Sequence, residues 1–296
     1  MRKALHETLE DLSAVTWERL RDAGTLRIRF GEETITDLLL LELKRIGSGQ
    51  IHIIQTPKYV EQTSGTDWEW WIGQDRLGWW RFAIQAKKLD SNTRRYDGLG
   101  HKVGGITPQM ELLRQYAEVN HAIPLYCFYN YLPGLNVSQI AAVWHCCEST
   151  PDERQLGCTV TSLPIIDQAS AFRGRKNFRW IHQWPQTLPW RCLVKCPRTR
   201  NRYQIEHIFQ SEISPLLHRW VVRDGGESDT EEPIYKALPT HIREACTSGR
   251  LSEEFPEEEA THRTRKMLLP KRIAVFEYSI EEVERILTER FRQAKG

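Results

Sequence analysis

Leu5, Leu9, Leu12, Val15, Trp17 and Leu20 recur at helical intervals and Gly24 follows them, which predicts a helix over residues 3–23. A second apolar stripe comes after Gly31. There EETITDLLLLELKRIG opens on acidic residues, carries four leucines in its body and closes on Lys44, Arg45 and Gly47, the charge order a helix macrodipole favours. The period then changes. GQIHIIQTPKYV, DWEWWIG and GWWRFAIQAKKL cluster aromatic and β-branched residues, so each predicts a strand, with Gly73 to Gly78 as a hairpin connection. Residues 90–106 are polar, glycine-rich and cationic, as in an exposed loop. Thr107-Pro108 should open a helix through QMELLRQYAEVNHA, and PLYCFYNYL has the unbroken apolarity of a strand buried on both faces. From residue 32 to 132 the predicted order is helix, three strands, helix, strand.

Beyond residue 132 the pattern is less regular. AAVWHCCE fits a strand or a buried helix, CTVTSLPII fits a strand, and residues 172–203 are basic, tryptophan-rich and broken by prolines. QIEHIFQSEISPLLHRWV returns to helical spacing, RDGGESDTEEP and LSEEFPEEEATHR have the composition of solvated linkers, and IEEVERILTERFRQAKG is an amphipathic helix. This predicts an N-terminal helix (1–24), an α/β core (25–135) and an accessory α+β region (136–296).

Composition narrows the partners. With 41 Lys+Arg against 39 Asp+Glu the chain has no global basic field, so binding to nucleic acid would need a local patch. The charged start argues against a signal peptide and no apolar run is long enough to span a membrane, so a cytoplasmic location is expected. Seven cysteines, an odd number, suggest reduced thiols. Cys192-x-x-x-Cys196, with His145, Cys146 and Cys158, admits a zinc reading, but the spacing is not the usual C-x2-C and no second tight pair exists. Buried thiols are the expectation.

The chemistry concentrates in GTDWEWW and FAIQAKK. On a strand Asp67 and Glu69 share a face, as do Gln85 and Lys87 on the next, and pairing through the predicted hairpin brings acid, amide and lysine to one sheet edge. Oxygen ligands beside a lysine suit a hard divalent cation and a nucleophile attacking phosphorus. Each pattern alone is common on any surface, since acids follow turns and lysines end strands. The element order around them adds the weight.

Asp67 and Gln85-x-Lys87, embedded in that order, resemble the PD-(D/E)xK, or restriction-endonuclease-like, superfamily in its variant with Gln at the first position of the second half-motif. The match covers about residues 30–132, and Thr66 stands where the superfamily has proline. DWEWW and QAK are also similar to an uncharacterised bacterial family, which brings no activity with it. The superfamily resemblance implies a restriction-endonuclease-like α-β-β-β-α-β core and an endonuclease hydrolysing DNA with Mg²⁺ or Mn²⁺, in defence against foreign DNA. It implies Asp67, Gln85 and Glu33 as metal ligands, with Glu32 the competitor of Glu33, and Lys87 positioning the nucleophile. A non-catalytic binding or sensor protein on the same fold is the alternative. Arg94, Arg95 and Lys102, with Tyr96 and His101, follow the lysine strand and are candidates for phosphate contacts. Arg173, Arg175, Lys176 and Arg179, interleaved with Trp180, Trp184, Trp190 and Arg191, are candidates for a nucleic-acid groove. A solvated loop and a structural layer are the plainer readings of these two stretches. A homodimer, a partner protein and an activating ligand are left open.

Overall fold

The computed structural model describes residues 3–47, 49–56, 65–196, 235–251 and 270–293. The two helical stripes form α1 (Leu5–Thr25) and α2 (Glu32–Ile46), which bury Leu5, Leu9, Leu12 and Leu20, and Ile35, Leu39, Leu40 and Leu43. The strand-like segments form β1 (Ile51–Gln55), β2 (Trp68–Gln74) and β3 (Gly78–Lys88). A two-strand hairpin follows, β4 (Lys102–Val103) with β5 (Thr107–Pro108), before α3 (Gln109–Val119) and β6 (Ile123–Tyr129). Thr107 and Pro108 are thus in extended backbone, and Pro108 caps the helix instead of lying inside its first turn.

In the second half, α4 (Val137–Ala141) is one short helix that takes in the first residue of AAVWHCCE, and the rest of that segment runs without regular structure. CTVTSLPII divides: β7 (Cys158–Ser162) ends where Ser162 caps α5 (Leu163–Ala171). Pro164 accounts for the switch, because its fixed φ and missing N–H suit a helical first turn and would remove a bond from a strand. Then come α6 (Phe178–His182), β8 (Leu188–Pro189), α7 (Thr240–Ser248), β9 (Arg272–Glu277) and the amphipathic α8 (Ile280–Gln293). The predicted helix QIEHIFQSEISPLLHRWV, the linker RDGGESDTEEP and nearly all of LSEEFPEEEATHR lie outside the described residues. No helix among the described residues is long and apolar enough to cross a membrane.

Seven strands form one mixed sheet in the order β1-β9-β2-β3-β6-β7-β8. β2 pairs with β3 antiparallel, while β9 with β2 and β3 with β6 are parallel. The chain is therefore a mixed α/β protein. Strand alternation builds a core on each face. Trp68, Trp70, Phe82, Ile84, Leu125 and Cys127 pack with α1 and α2, while Ala83, Tyr126 and Phe128 pack with α3 and α5. Trp68, Trp70 and Trp190 meet edge to face at 4.8–5.7 Å, contacts worth about 0.5–1.5 kcal/mol each beyond their area. The sheet draws on both sides of the boundary expected at residue 135, for β9 sits between β1 and β2 and α1 shares their core.

Candidate active site

Asp67 immediately precedes β2, where its backbone N–H donates to the Ile84 carbonyl at 2.9 Å, so antiparallel register sets it across from Gln85. The Ala86 N–H donates to Asp67 Oδ2 at 2.9 Å and the Gln85 amide Nε2 donates to the same oxygen. That leaves Gln85 Oε1 buried without a hydrogen-bond partner. Lys87, two residues on, is only 5% exposed yet reaches Glu32 at 3.6 Å. Glu32 is fixed in turn by the Lys88 N–H at 2.9 Å. Gly98 leaves room for this lysine, since a Cβ there would stand 3.1 Å from Lys87 Cδ.

Glu32, Glu33, Asp67, Gln85, Lys87 and Lys271 line one cavity of about 320 Å³. Both helix acids are therefore at the site, and they differ in partner: Glu32 faces Lys87, whereas Glu33, largely exposed, faces Lys271 at 3.7 Å. Lys271 also lies 3.4 Å from Asp67 Oδ1, placing its ammonium between two carboxylates. A larger cavity of about 490 Å³, walled by Arg27, Arg29, Phe30 and Lys88 among others, shares none of these six residues.

Residues 5–284 match the model of a family of unknown function, DUF6615. The chain belongs to DUF6615. No curated protein and no solved structure matches it.

In this DUF6615 chain the oxygens of Asp67 Oδ1, Gln85 Oε1 and Glu33 are donors of the kind a hard divalent cation takes, and the buried Oε1 lacks any other partner. Glu32, Glu33 and Asp67 are not gathered into a group close enough to share an ion, and Gln85 and Lys271 hold Asp67. Among the described residues, the group of three or more His, Cys or acidic side chains close enough to share an ion is Cys146, Cys192 and Cys196. Glu69 departs from the expected acidic cluster. It shares Asp67's face, but it is fully buried, pairs with Arg81 at 2.8 Å, and accepts from Tyr116 Oη and Trp71 Nε1 at 2.6 Å each. Burial most strongly opposes the charge on Arg81, but Glu69, Tyr116 and Tyr235 together outweigh it and raise the guanidinium's pKa.

The two basic stretches meet. The Tyr96 N–H donates to the Lys176 carbonyl at 3.0 Å, the Phe178 N–H to the Arg94 carbonyl at 3.3 Å, and the Arg95 side chain to the Arg173 carbonyl. Arg94, Arg173 and Arg179 are exposed, with Arg95, Arg175 and Lys176 half-buried beside them, and Arg175 lies 4.3 Å over the Phe172 ring. Lys102 stands exposed on the small hairpin, and His101, next to it, lines the cavity. Tyr96, Trp190 and Arg191, by contrast, are buried and take no part in that surface. Trp190 packs against Trp68 and Trp70, and Arg191 pairs with Glu10. Lys271 and Gln109 are cavity residues that local pattern does not single out, whereas His101 lies in the loop the sequence places beside the site. Lys271 carries no motif and reaches the site only because β9 inserts beside β2.

Proposed function

We propose that this chain is a metal-dependent nuclease that hydrolyses DNA phosphodiester bonds, on a restriction-endonuclease-like core running from α2 to β6. One observation carries the reading: Asp67, Gln85, Lys87 and the first-turn glutamates of α2 converge on a single cavity. The element order α2-β1-β2-β3, then α3 and β6, supports it, because this is the order in which the resembled superfamily embeds the same residue pattern. Asp67, Gln85 and Glu33 would hold Mg²⁺ or Mn²⁺, which when bound supplies Lewis-acid polarisation of a phosphoryl oxygen and a more acidic water. The Ala86 N–H and the Gln85 amide fix the Asp67 carboxylate in advance. Lys87, its stem buried and its head steadied by Glu32, presents N–H donors to the attacking water and to charge building on phosphorus. The patch around Arg94, Arg95, Arg173 and Lys176 would take the flanking phosphates. Bacterial defence against foreign DNA is the setting the resemblance suggests.

A second reading has its own support. Lys271 pairs with both Asp67 and Glu33, a contact that suits a binding or sensor protein on the same core. Supercoiled plasmid, Mg²⁺ or Mn²⁺, and an EDTA control separate the two. The wild type is expected to nick or linearise the plasmid, with Lys87→Ala and Asp67→Asn each slower by roughly 100-fold or more while remaining folded. Wild-type rates in both variants would end the assignment, and a folded wild type inert with both ions would favour the sensor.

A further inference from the structure

Outside the cavity, three thiols converge from distant parts of the chain. Cys146 lies beyond α4, whereas Cys192 and Cys196 flank the turn that follows Trp190, and all three are buried. Their sulfurs all lie within 4.8 Å of one another. In a tetrahedral zinc site with Zn–S near 2.3 Å, sulfurs stand about 3.8 Å apart, so the triad needs only a small contraction. A fourth sulfur is at hand. Cys147 Sγ lies 3.5 Å from Cys196 Sγ, on the exposed side of the cluster.

The surroundings are those of a ligand shell. Arg191 Nη1 donates to Cys146 Sγ at 2.9 Å and Ser149 Oγ donates to it at 3.3 Å, stabilising sulfur in its anionic form.

We propose that Cys146, Cys147, Cys192 and Cys196 form a structural zinc site. Thiolates select a borderline-soft ion such as Zn²⁺ over Mg²⁺, so the site is chemically separate from the acidic cavity. Its task follows from what it joins. The stretch 142–149 has little regular structure, and the ion would fasten it to the segment that Arg191 ties to Glu10 and Lys195 ties to His6 of α1. With four closed ligands it leaves no position for substrate.

Metal analysis of the full chain, purified with reductant and without chelator, tests this. The expected result is about one zinc per chain, exchangeable for Co²⁺ with the intense thiolate-to-cobalt absorption of a tetrahedral sulfur site. Cys192→Ser and Cys196→Ser should each lose the metal, and Cys147→Ser should weaken binding by more than the roughly 10- to 100-fold typical of losing a residue that only orients a ligand. Cys127→Ala, a buried cysteine outside the cluster, should keep it. Should the serine variants not fold, the wild type decides alone, since a strong chelator should lower its Tm and Zn²⁺, but not Mg²⁺, should restore it. A folded, reduced wild type that takes up neither Zn²⁺ nor Co²⁺ overturns the proposal, as does a Cys147–Cys196 disulfide whose reduction restores no metal uptake. Unaltered binding in Cys147→Ser removes that residue as fourth ligand and overturns the closed site.

Discussion

At the scale of single residues, strand alternation is enough to bring Asp67, Gln85 and Lys87 together but not to grade depth. Asp67 and Glu69 share a face, yet one borders a cavity and the other is sealed under Tyr116 and Trp71, and nothing local separates the two positions. His182 is equally silent in the sequence. It is buried, its ring nitrogens meet the Phe178 carbonyl and Thr159 Oγ1 at 2.9 Å each, and burial pushes its pKa down to about 3. Unfolding frees it to titrate near 6.5. Between those values the unfolded chain binds the extra proton, so stability is full above about pH 6.5 and falls as pH drops toward 3, by up to about 1.4 kcal/mol per pH unit. Burial also lowers His6 and His121, which add to the slope with the same sign. His182→Gln removes one share of it. Denaturant unfolding at pH 7, 6 and 5 should therefore show a shallower decline in the variant than in the wild type. Parallel declines would mean that His182 takes up its proton without cost in the fold.

At the scale of elements, period and punctuation locate α1, α2, β2, β3 and β6 because each has a one-sided or two-sided apolar pattern and a clear stop. The ends escape where a single residue governs geometry, as at Pro108 and Pro164. The β2–β3 hairpin is readable from its glycines, and the structure gives the reason. Gln74 pairs with Gly78 around Asp75, Arg76 and Leu77, and Gly78 takes φ 80°, the left-handed conformation that closes such a loop. Gly73 is required for another reason: a Cβ there would meet the Gly78 carbonyl oxygen at 2.2 Å and Trp79 Cα at 2.8 Å, both backbone and unable to yield. Gly73→Ala should thus cost roughly 1–3 kcal/mol by forcing the strands apart, seen as a lower denaturation midpoint. Because this hairpin sets Asp67 against Gln85, the plasmid cleavage we propose should fall with it. An unchanged midpoint would show that the turn can open without disturbing the sheet.

At the scale of the whole molecule, two features require the complete fold: the insertion of β9, which delivers Lys271, and the fusion of two basic stretches into one surface. The formal net charge is only +2, and Arg94, Arg95 and Lys102 are far in sequence from Arg173, Arg175, Lys176 and Arg179. Each stretch alone reads as ordinary loop. Folded, they are joined through backbone bonds between Tyr96 and Lys176 and between Arg94 and Phe178, and Gly98 and Gly100 link them to the cavity, the first beside Lys87 and the second beside Lys176 Nζ. A strand of nucleic acid reaching Lys87 would therefore meet both sets of cations. Each phosphate neutralised releases counterions, so replacing Arg173, Arg175, Lys176 and Arg179 with Gln should weaken DNA binding and flatten its logarithmic salt dependence by about 0.9 for every phosphate no longer neutralised. Arg175, stacked on Phe172, should contribute least. Fluorescence anisotropy at several salt concentrations, in a Lys87→Ala background so that substrate persists, measures the slope. If the slope holds in that variant and falls instead when Arg94, Arg95 and Lys102 are replaced, the DNA path follows the small hairpin. If neither set alters it, the patch belongs to the fold and not to a nucleic-acid surface.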